Sequence, residues 1–125
     1  MSDVLFTFSG SPVAAIELVG RTIVGIGYSA QVQPDGRHRF SRGDANLTAL
    51  AGANAAEMMY IEFHVVFGID AQGAPTALIQ RGSRSIFANS GTIGIARTDN
   101  AFRQLVDAVG HAASAAGIYR GFREE

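Results

Sequence analysis

Residues 60–69 carry an apolar side chain at every second position, and this pattern constrains the fold more than any other feature of the chain. The apolar members of one side are Ile61, Phe63, Val65, Phe67 and Ile69. A period of two is typical of a strand with one buried face. The segment therefore predicts a half-buried β-strand.

The residues that follow this strand predict an antiparallel meander. Turn residues fill 70–75, and a second strand is expected over 76–87, with Gly82 as a bulge or a point of close approach. A further turn at 89–91 leads into a short strand over 92–97. Three consecutive strands joined by short turns pair with their sequence neighbours.

The N-terminal half predicts more strands. Residues 4–8 and 13–19 flank a Ser-Gly-Ser-Pro segment and are interpreted as a hairpin. A strand over 22–32 is weakened by its glycines, and the Pro-Asp-Gly sequence at 34–36 predicts a turn.

The segment from Asp44 to Met59 fits two structures. Asp44 caps a helix in one, and the alanines favour that helix. In the other, residues 47–51 form a strand and Gly52 begins a turn. We lean towards the strand.

The C-terminal segment predicts a helix over about 98–117. Thr98 or Asp99 supplies the N-cap, and Gly117 ends the helix. The apolar positions spaced as one helical face are Phe102, Leu105, Val106, Val109, Ala112, Ala113 and Ala116. The predicted fold is therefore α+β: a single domain over 1–125, with a hairpin at about 4–20, a sheet of five to six strands at about 22–97, and this helix.

One helix is too narrow for such a sheet. Five or six strands at ~4.8 Å span roughly 24–29 Å, whereas a helix with its side chains is about 10–12 Å across. A second helix at 44–59, a closed barrel or a sandwich would also cover the apolar face. We favour a second copy that lends its helix, because Gly110 and the alanines permit close approach. The expected interlocked homodimer uses Phe102, Leu105, Val106, Val109 and Ala113.

Composition excludes several kinds of site. The chain has no cysteine and no lysine, so a thiolate metal site, a cysteine nucleophile and a Walker lysine are impossible. The three histidines lack metal-ligand spacing. Gly25-Ile-Gly27-Tyr-Ser-Ala30 matches a dinucleotide fingerprint, but no helix is predicted after it. We expect no cofactor, no metal, no secretion signal and no membrane span.

Arginine placement points to RNA. Arg37, Arg39 and Arg42 follow the Pro-Asp-Gly turn, and residues 71–98 hold three arginines and no acid within a chain of net charge −1. Arginine binds phosphate bidentately and stacks on bases, and aromatic side chains on a sheet stack bases of single strands. Ordinary solubilising arginine explains the same pattern.

Glu62 and His64 share one face of the predicted strand and form a possible acid–base pair. We favour the alternative interpretation, in which the two residues belong to a solvated strand face. A small enzyme using these two residues is therefore an alternative to a binding role, as is a small β-rich binding module of the pleckstrin-homology type, which also ends in one helix after a sheet.

Three segments of the chain resemble the coat proteins of single-stranded RNA bacteriophages. They are the predicted hairpin Phe6-Thr-Phe-Ser-Gly10-Ser-Pro-Val-Ala-Ala-Ile16, the strand Tyr60-Ile-Glu-Phe-His-Val-Val-Phe67 with the pair Gln80-Arg81, and the tail from Thr98 to Gly121. The resemblance is one of layout over most of the chain. It carries no diagnostic motif.

The resemblance implies a non-enzymatic structural protein. Coats of this family form dimers in which each helix covers the partner's sheet, and the dimers build an icosahedral capsid in the bacterial host cytoplasm. The opposite sheet face binds a hairpin of the genomic RNA. By this resemblance, the RNA-binding residues are Tyr60, Glu62, His64, Arg81 and Arg84.

Overall fold

The computed structural model describes residues 3–43, 61–81 and 91–125. The expectations for Asp44–Met59, Tyr60, Gly82 and Arg84 lie outside these residues. The described elements are β1 (Val4–Phe8), α1 (Pro12–Gly25), β2 (Ser29–Val32), β3 (His38–Arg42), β4 (Ile61–Ile69), β5 (Pro75–Arg81), α2 (Gly91–Ala115) and β6 (Tyr119–Glu124).

The chain has an α+β fold with a six-stranded antiparallel sheet in the order β2-β3-β4-β5-β1-β6. The predicted strand count and the β4–β5 pairing are confirmed. The β4–β5 turn forms because the Asp70 carboxylate accepts hydrogen bonds from the backbone N–H groups of Gln72 and Ala74 at 2.9 and 2.8 Å. Gly73 closes the turn at a φ of 83°.

Both helices pack on one face of the sheet and against each other. The side chains of β1, β4 and β5 alternate between buried and half-buried, so each strand presents one face to the helices. Phe63 contacts Phe102 of α2, with ring centroids 5.4 Å apart. The buried residues that form this core include Phe6, Phe8, Leu18, Val19, Ile23, Phe40, Phe63, Val65, Ile79, Leu105 and Val109.

The predicted N-terminal hairpin is wrong beyond its first strand, because residues 12–25 form α1. Ser11 caps this helix by accepting a hydrogen bond from the Ala14 N–H at 3.1 Å, and Pro12 occupies the first turn. The buried positions of α1 follow helical spacing: Ala15, Leu18, Val19 and Ile23. The predicted strand over 22–32 is therefore reduced to β2.

The C-terminal helix is confirmed, but its predicted start is not. The helix α2 begins at Gly91, so the short strand expected over 92–97 is absent, and Thr98 and Asp99 lie inside the helix rather than at its cap. A strand, β6, follows α2 and pairs with β1.

The chain covers the apolar face of β4 from Ile61 to Val65 with its own helices, so the expected loan of a helix from a second copy is not needed there, whereas Ile69 at the end of the strand is 61% exposed. Phe63 and Val65 have no exposed surface within the single chain. The argument from width was correct for one helix, but α1 is a second one. Within the described residues, neither helix combines the length and apolar character that crossing a bilayer requires.

The residues assigned to the dimer interface serve the core of their own chain instead. Phe102, Leu105, Val109 and Ala113 are buried, and Val106 is half-buried against the same cluster. The close neighbour that Gly110 admits is Phe6 of β1, whose ring lies 3.7 Å from the position of a Cβ at Gly110.

Candidate nucleic-acid interface

The face of the sheet opposite the helices, here called the outer face, carries both polar and apolar side chains. Its described polar members on the central strands are Arg39, Ser41, Glu62, His64, Thr76 and Gln80. Its apolar members are Leu5, Val66 and Leu78, which are half-buried. These positions face outward because each is the sequence neighbour of a residue that faces the helices.

Four polar residues form a continuous row across the outer face. Strand register places Gln31 opposite Arg39, Arg39 opposite His64, and His64 opposite Gln80. Side chains directly opposite each other in antiparallel strands lie on one face about 4.5–5.5 Å apart. This polar row therefore spans β2, β3, β4 and β5 with groups that donate and accept hydrogen bonds.

Arg39 is the cation of the polar row. Its Nη2 donates to the Gln31 Oε1, whereas its Nε is buried and has no hydrogen-bond partner. A buried donor without an acceptor costs free energy.

Glu62 and His64 contact each other on the outer face. The Glu62 Oε2 and the His64 Nε2 are 3.3 Å apart, and each side chain is 15% exposed. The sequence expectation that the two residues share a strand face is confirmed. A freely solvated face does not describe them, because both side chains are largely covered.

The β2–β3 hairpin is basic and lies at one edge of the sheet. Residues 29–43 contain three arginines and one acid, Asp35. Asp35 is held in the turn by the Arg37 backbone N–H at 3.0 Å and by the Arg37 Nε at 2.8 Å. The backbone hydrogen bond is the main reason that the pKa of Asp35 lies below its ordinary value. The Asp35 carboxylate is thus bound by Arg37 within the turn.

Tyr28 anchors this hairpin to the core. Its ring is buried and lies 5.9 Å from the Phe63 ring, and the Arg42 guanidinium lies 4.9 Å above its centroid. Burial raises the pKa of the Tyr28 hydroxyl, and the positive charge of Arg42 partly offsets that rise. Arg42 is therefore directed to the helix side, and Arg39 to the outer face.

Arg81 does not share the outer face with Glu62 and His64, so its expected placement there is wrong. It lies opposite Phe63 on the helix side, and its side chain is 8% exposed. Its guanidinium forms an ion pair with Asp99 and lies 5.7 Å from the centroid of the Phe102 ring. The adjacent residue, Gln80, faces outward. Tyr60 and Arg84 lie outside the described residues.

The sequence analysis did not identify Gln31 and Gln80 as site residues, and it noted Arg39 only as one of the arginines after the Pro-Asp-Gly turn. Gln31 follows Ala30 and Arg39 precedes Phe40, so neighbouring residues of each strand face opposite sides, but the shared outer face became visible only once strand register was known.

The structure also excludes the dinucleotide fingerprint at Gly25–Ala30, because Gly27 follows the end of α1 and β2 begins at Ser29.

A groove of about 610 Å³ continues the outer face at its opposite end. Leu5 and Thr7 of β1 line it, together with Arg120 and Arg123 of β6. Arg39 and Arg123 lie on strands four positions apart, or about 19 Å at the usual strand spacing. The outer face thus has a cation on β3 and another on β6, with both polar and apolar side chains on the strands between them.

No protein-family model matches the chain, and no curated protein shows significant similarity to it.

Proposed function

We propose that this chain is a non-enzymatic protein that binds single-stranded RNA across the outer face. The observation that carries the proposal is the polar row, in which Arg39 adjoins Gln31 and His64. A phosphate or base oxygen is a suitable acceptor for that guanidinium.

The chemistry of the outer face fits a single strand better than a duplex. Glutamine amides and a histidine ring offer donors and acceptors to exposed base edges, which a single strand presents and an A-form duplex hides in its deep groove. The half-buried Leu5, Val66 and Leu78 offer apolar contact between the two cationic ends. A strand that crosses the sheet from Arg39 to Arg123 meets all of these groups.

Only the resemblance to phage coat proteins supports extending this proposal to a coat role. One segment that supports the resemblance, Phe6–Ile16, forms a strand and the start of α1 rather than a hairpin. Assembly into a virion capsid in the host cytoplasm stays a prediction, and RNA binding by the outer face does not depend on it.

The Glu62–His64 contact favours an acid–base enzyme as the second candidate. The two candidates differ in what one substitution does. In a binding protein, His64→Gln retains a hydrogen-bonding side chain and most of the RNA affinity. In an enzyme, the same change removes the proton carrier and abolishes turnover of any substrate found.

The test of the proposal compares Arg39→Ala with Arg21→Ala. Both changes remove one arginine, but Arg21 is exposed on α1, on the opposite side of the sheet. Fluorescence anisotropy with a labelled single-stranded RNA measures Kd over a range of salt concentrations. We expect Arg39→Ala to weaken binding by about 1–2 kcal/mol, roughly 5- to 30-fold.

The salt dependence gives a second readout. Loss of one phosphate contact lowers the slope of log affinity against log salt by about 0.7 for a single strand. Arg21→Ala should match the wild-type chain in both affinity and slope. Equal weakening by the two variants, with both shown folded by circular dichroism, would mean that the outer face is not the site.

A further inference from the structure

The groove at the β6 end of the outer face is a concave site with two arginines. It lies over β1, with β5 on one side and β6 on the other. Arg120 and Arg123 line its β6 side, and residues 70–72 of the β4–β5 turn line it as well. Its volume of about 610 Å³ is large enough for a small polar ligand.

A bulge in β6 brings the two arginines into the same groove. The register of β6 against β1 shifts between Thr7 and Phe8, which inserts one extra residue at Arg120. Residues three apart in a regular strand point to opposite faces of the sheet. The bulge removes this difference, and Arg120 therefore lines the same groove as Arg123.

Two threonine side chains add hydroxyl groups to the groove. Thr7 and Thr76 lie opposite each other in β1 and β5, and both line the groove. Gly68 lies opposite Thr76 on the other side, in β4. A Cβ at Gly68 would lie 3.3 Å from the Thr76 Oγ1, so the lack of a side chain there leaves space beside this hydroxyl.

The acids near the groove leave both arginines available to a ligand. None of the ion pairs among the described residues involves Arg120. Arg123 pairs with Glu125 at 3.3 Å, but these side chains are 70% and 40% exposed, and an exposed ion pair contributes little. Asp70 also lines the groove, and its carboxylate accepts two backbone N–H groups of its own turn. The groove therefore has an excess of positive charge.

We propose that this groove binds a phosphate monoester, carried either at the end of an RNA strand or by a free nucleotide. Each guanidinium donates two parallel hydrogen bonds to a phosphate, and each threonine hydroxyl donates one more. A phosphodiester within a strand offers two unbridged oxygens and one negative charge. A monoester offers three such oxygens and a charge of about −1.5 to −2 at pH 7, so it matches the donors of the groove better.

The RNA end as the source of the monoester rests on the proposed function, whereas binding of the monoester itself does not. A single strand that follows the polar row towards β6 reaches the groove at the far side of the sheet. Its terminal phosphate then lies between Arg120 and Arg123. Such a contact gives the bound strand a fixed direction, which the polar row alone does not.

Isothermal titration calorimetry of the full chain with a nucleoside 5′-monophosphate, and with the same nucleoside lacking phosphate, tests the site without RNA. We expect the monophosphate to bind and the nucleoside not to bind. Arg120→Gln removes one charge from the groove and should weaken the monophosphate by about tenfold. Arg21→Gln makes the same change on the exposed surface of α1 and should leave the affinity unchanged.

Thr76→Val tests the hydroxyl contact without altering charge. The change keeps the shape of the side chain and removes one donor, so we expect a loss of about threefold in monophosphate affinity. Circular dichroism of each variant shows that the loss does not come from unfolding.

Fluorescence anisotropy with RNAs of one sequence identifies the source of the monoester. The RNAs carry a phosphate at the 5′ end, at the 3′ end or at neither end. We expect one terminal phosphate to tighten binding by about tenfold, and Arg120→Gln to abolish that difference. Arg39→Ala should weaken all three RNAs and keep their ratio. Binding of the monophosphate without any binding of RNA supports the groove site with a free nucleotide and contradicts the proposed function alone.

Three results overturn the monoester site. The first is a chain that neither prefers the monophosphate to the nucleoside nor distinguishes the three RNAs. The second is a preference that Arg120→Gln leaves intact. The third is an equal loss in Arg21→Gln, which would assign the effect to overall charge.

Discussion

Tyr28 shows how one buried side chain links the core to the basic hairpin. Its ring contacts Phe63 inside the core, and Arg42 of β3 lies over it. Burial disfavours the phenolate more than the guanidinium stabilises it, so the pKa of Tyr28 is raised above 10.0. The neutral hydroxyl is therefore the form that the fold favours.

This pKa shift predicts a loss of stability at alkaline pH. A raised pKa in the folded state means that the full contribution is present below the unfolded value of 10.0 and is lost as pH rises through the folded value. Urea unfolding across this range should show a steeper alkaline loss for the wild-type chain than for Tyr28→Phe. Absorbance at the phenolate band, compared between the wild-type chain and Tyr28→Phe, should show Tyr28 ionising above pH 10.0.

Two results would contradict this account of Tyr28. If Tyr28 ionises at or below its ordinary pKa of 10.0, or if Tyr28→Phe keeps the full alkaline loss of stability, burial does not control this hydroxyl.

At the residue scale, Gln80 and Arg81 show that the sequence does not reveal which of two adjacent strand residues lies on the outer face. The two are adjacent, and a strand sends them to opposite faces. The choice between them depends on register with β4, where Phe63 pairs with Arg81 and His64 with Gln80. Charge favoured Arg81 as the RNA contact, yet the ion pair with Asp99 engages it on the helix side.

At the scale of elements, the two helices end in the same way. After α1, the Tyr28 N–H donates to the Ile23 carbonyl oxygen, and after α2, the Ile118 N–H donates to the Ala113 carbonyl oxygen. This six-to-one bond requires a residue with positive φ just after the helix. Gly27, with a φ of 106°, fills that position in α1 and directs the chain into β2.

The turn after α1 yields a stability prediction with an internal control. Gly27→Ala places a Cβ where φ is positive and should destabilise the fold by about 1–2 kcal/mol. Gly20→Ala, within α1 and with open space around the new Cβ, should stabilise by up to about 1 kcal/mol. Chemical denaturation measures both, and effects of the same sign would contradict this assignment of the turn.

The strand β4 was predictable and α1 was not, for a physical reason. The β4 alternation repeats over the whole strand, and burial reinforces it at each step. The α1 segment is rich in β-branched residues and contains Gly20, so local propensity favours a strand. Packing of Leu18, Val19 and Ile23 against the sheet outweighs that propensity. The Ser11-Pro12 start was the available signal.

At the scale of the whole molecule, the arrangement separates two surfaces. Both helices lie on one face of the sheet and bury the aromatic core, which leaves the other face to Arg39, His64 and Gln80. The sequence identified Glu62 and His64 as neighbours on this face. The polar row needed the pairing of four strands, and no local pattern specifies which distant strands become neighbours.

The central claim is that RNA binds the outer face, and a chemical-shift map of the labelled chain titrated with single-stranded RNA tests it most directly. We predict the largest amide shifts at Arg39, His64 and Gln80, with little change at the exposed α1 residues Val13 and Arg21. Saturable shifts confined to α1 and α2, or no shifts at all, would contradict the claim.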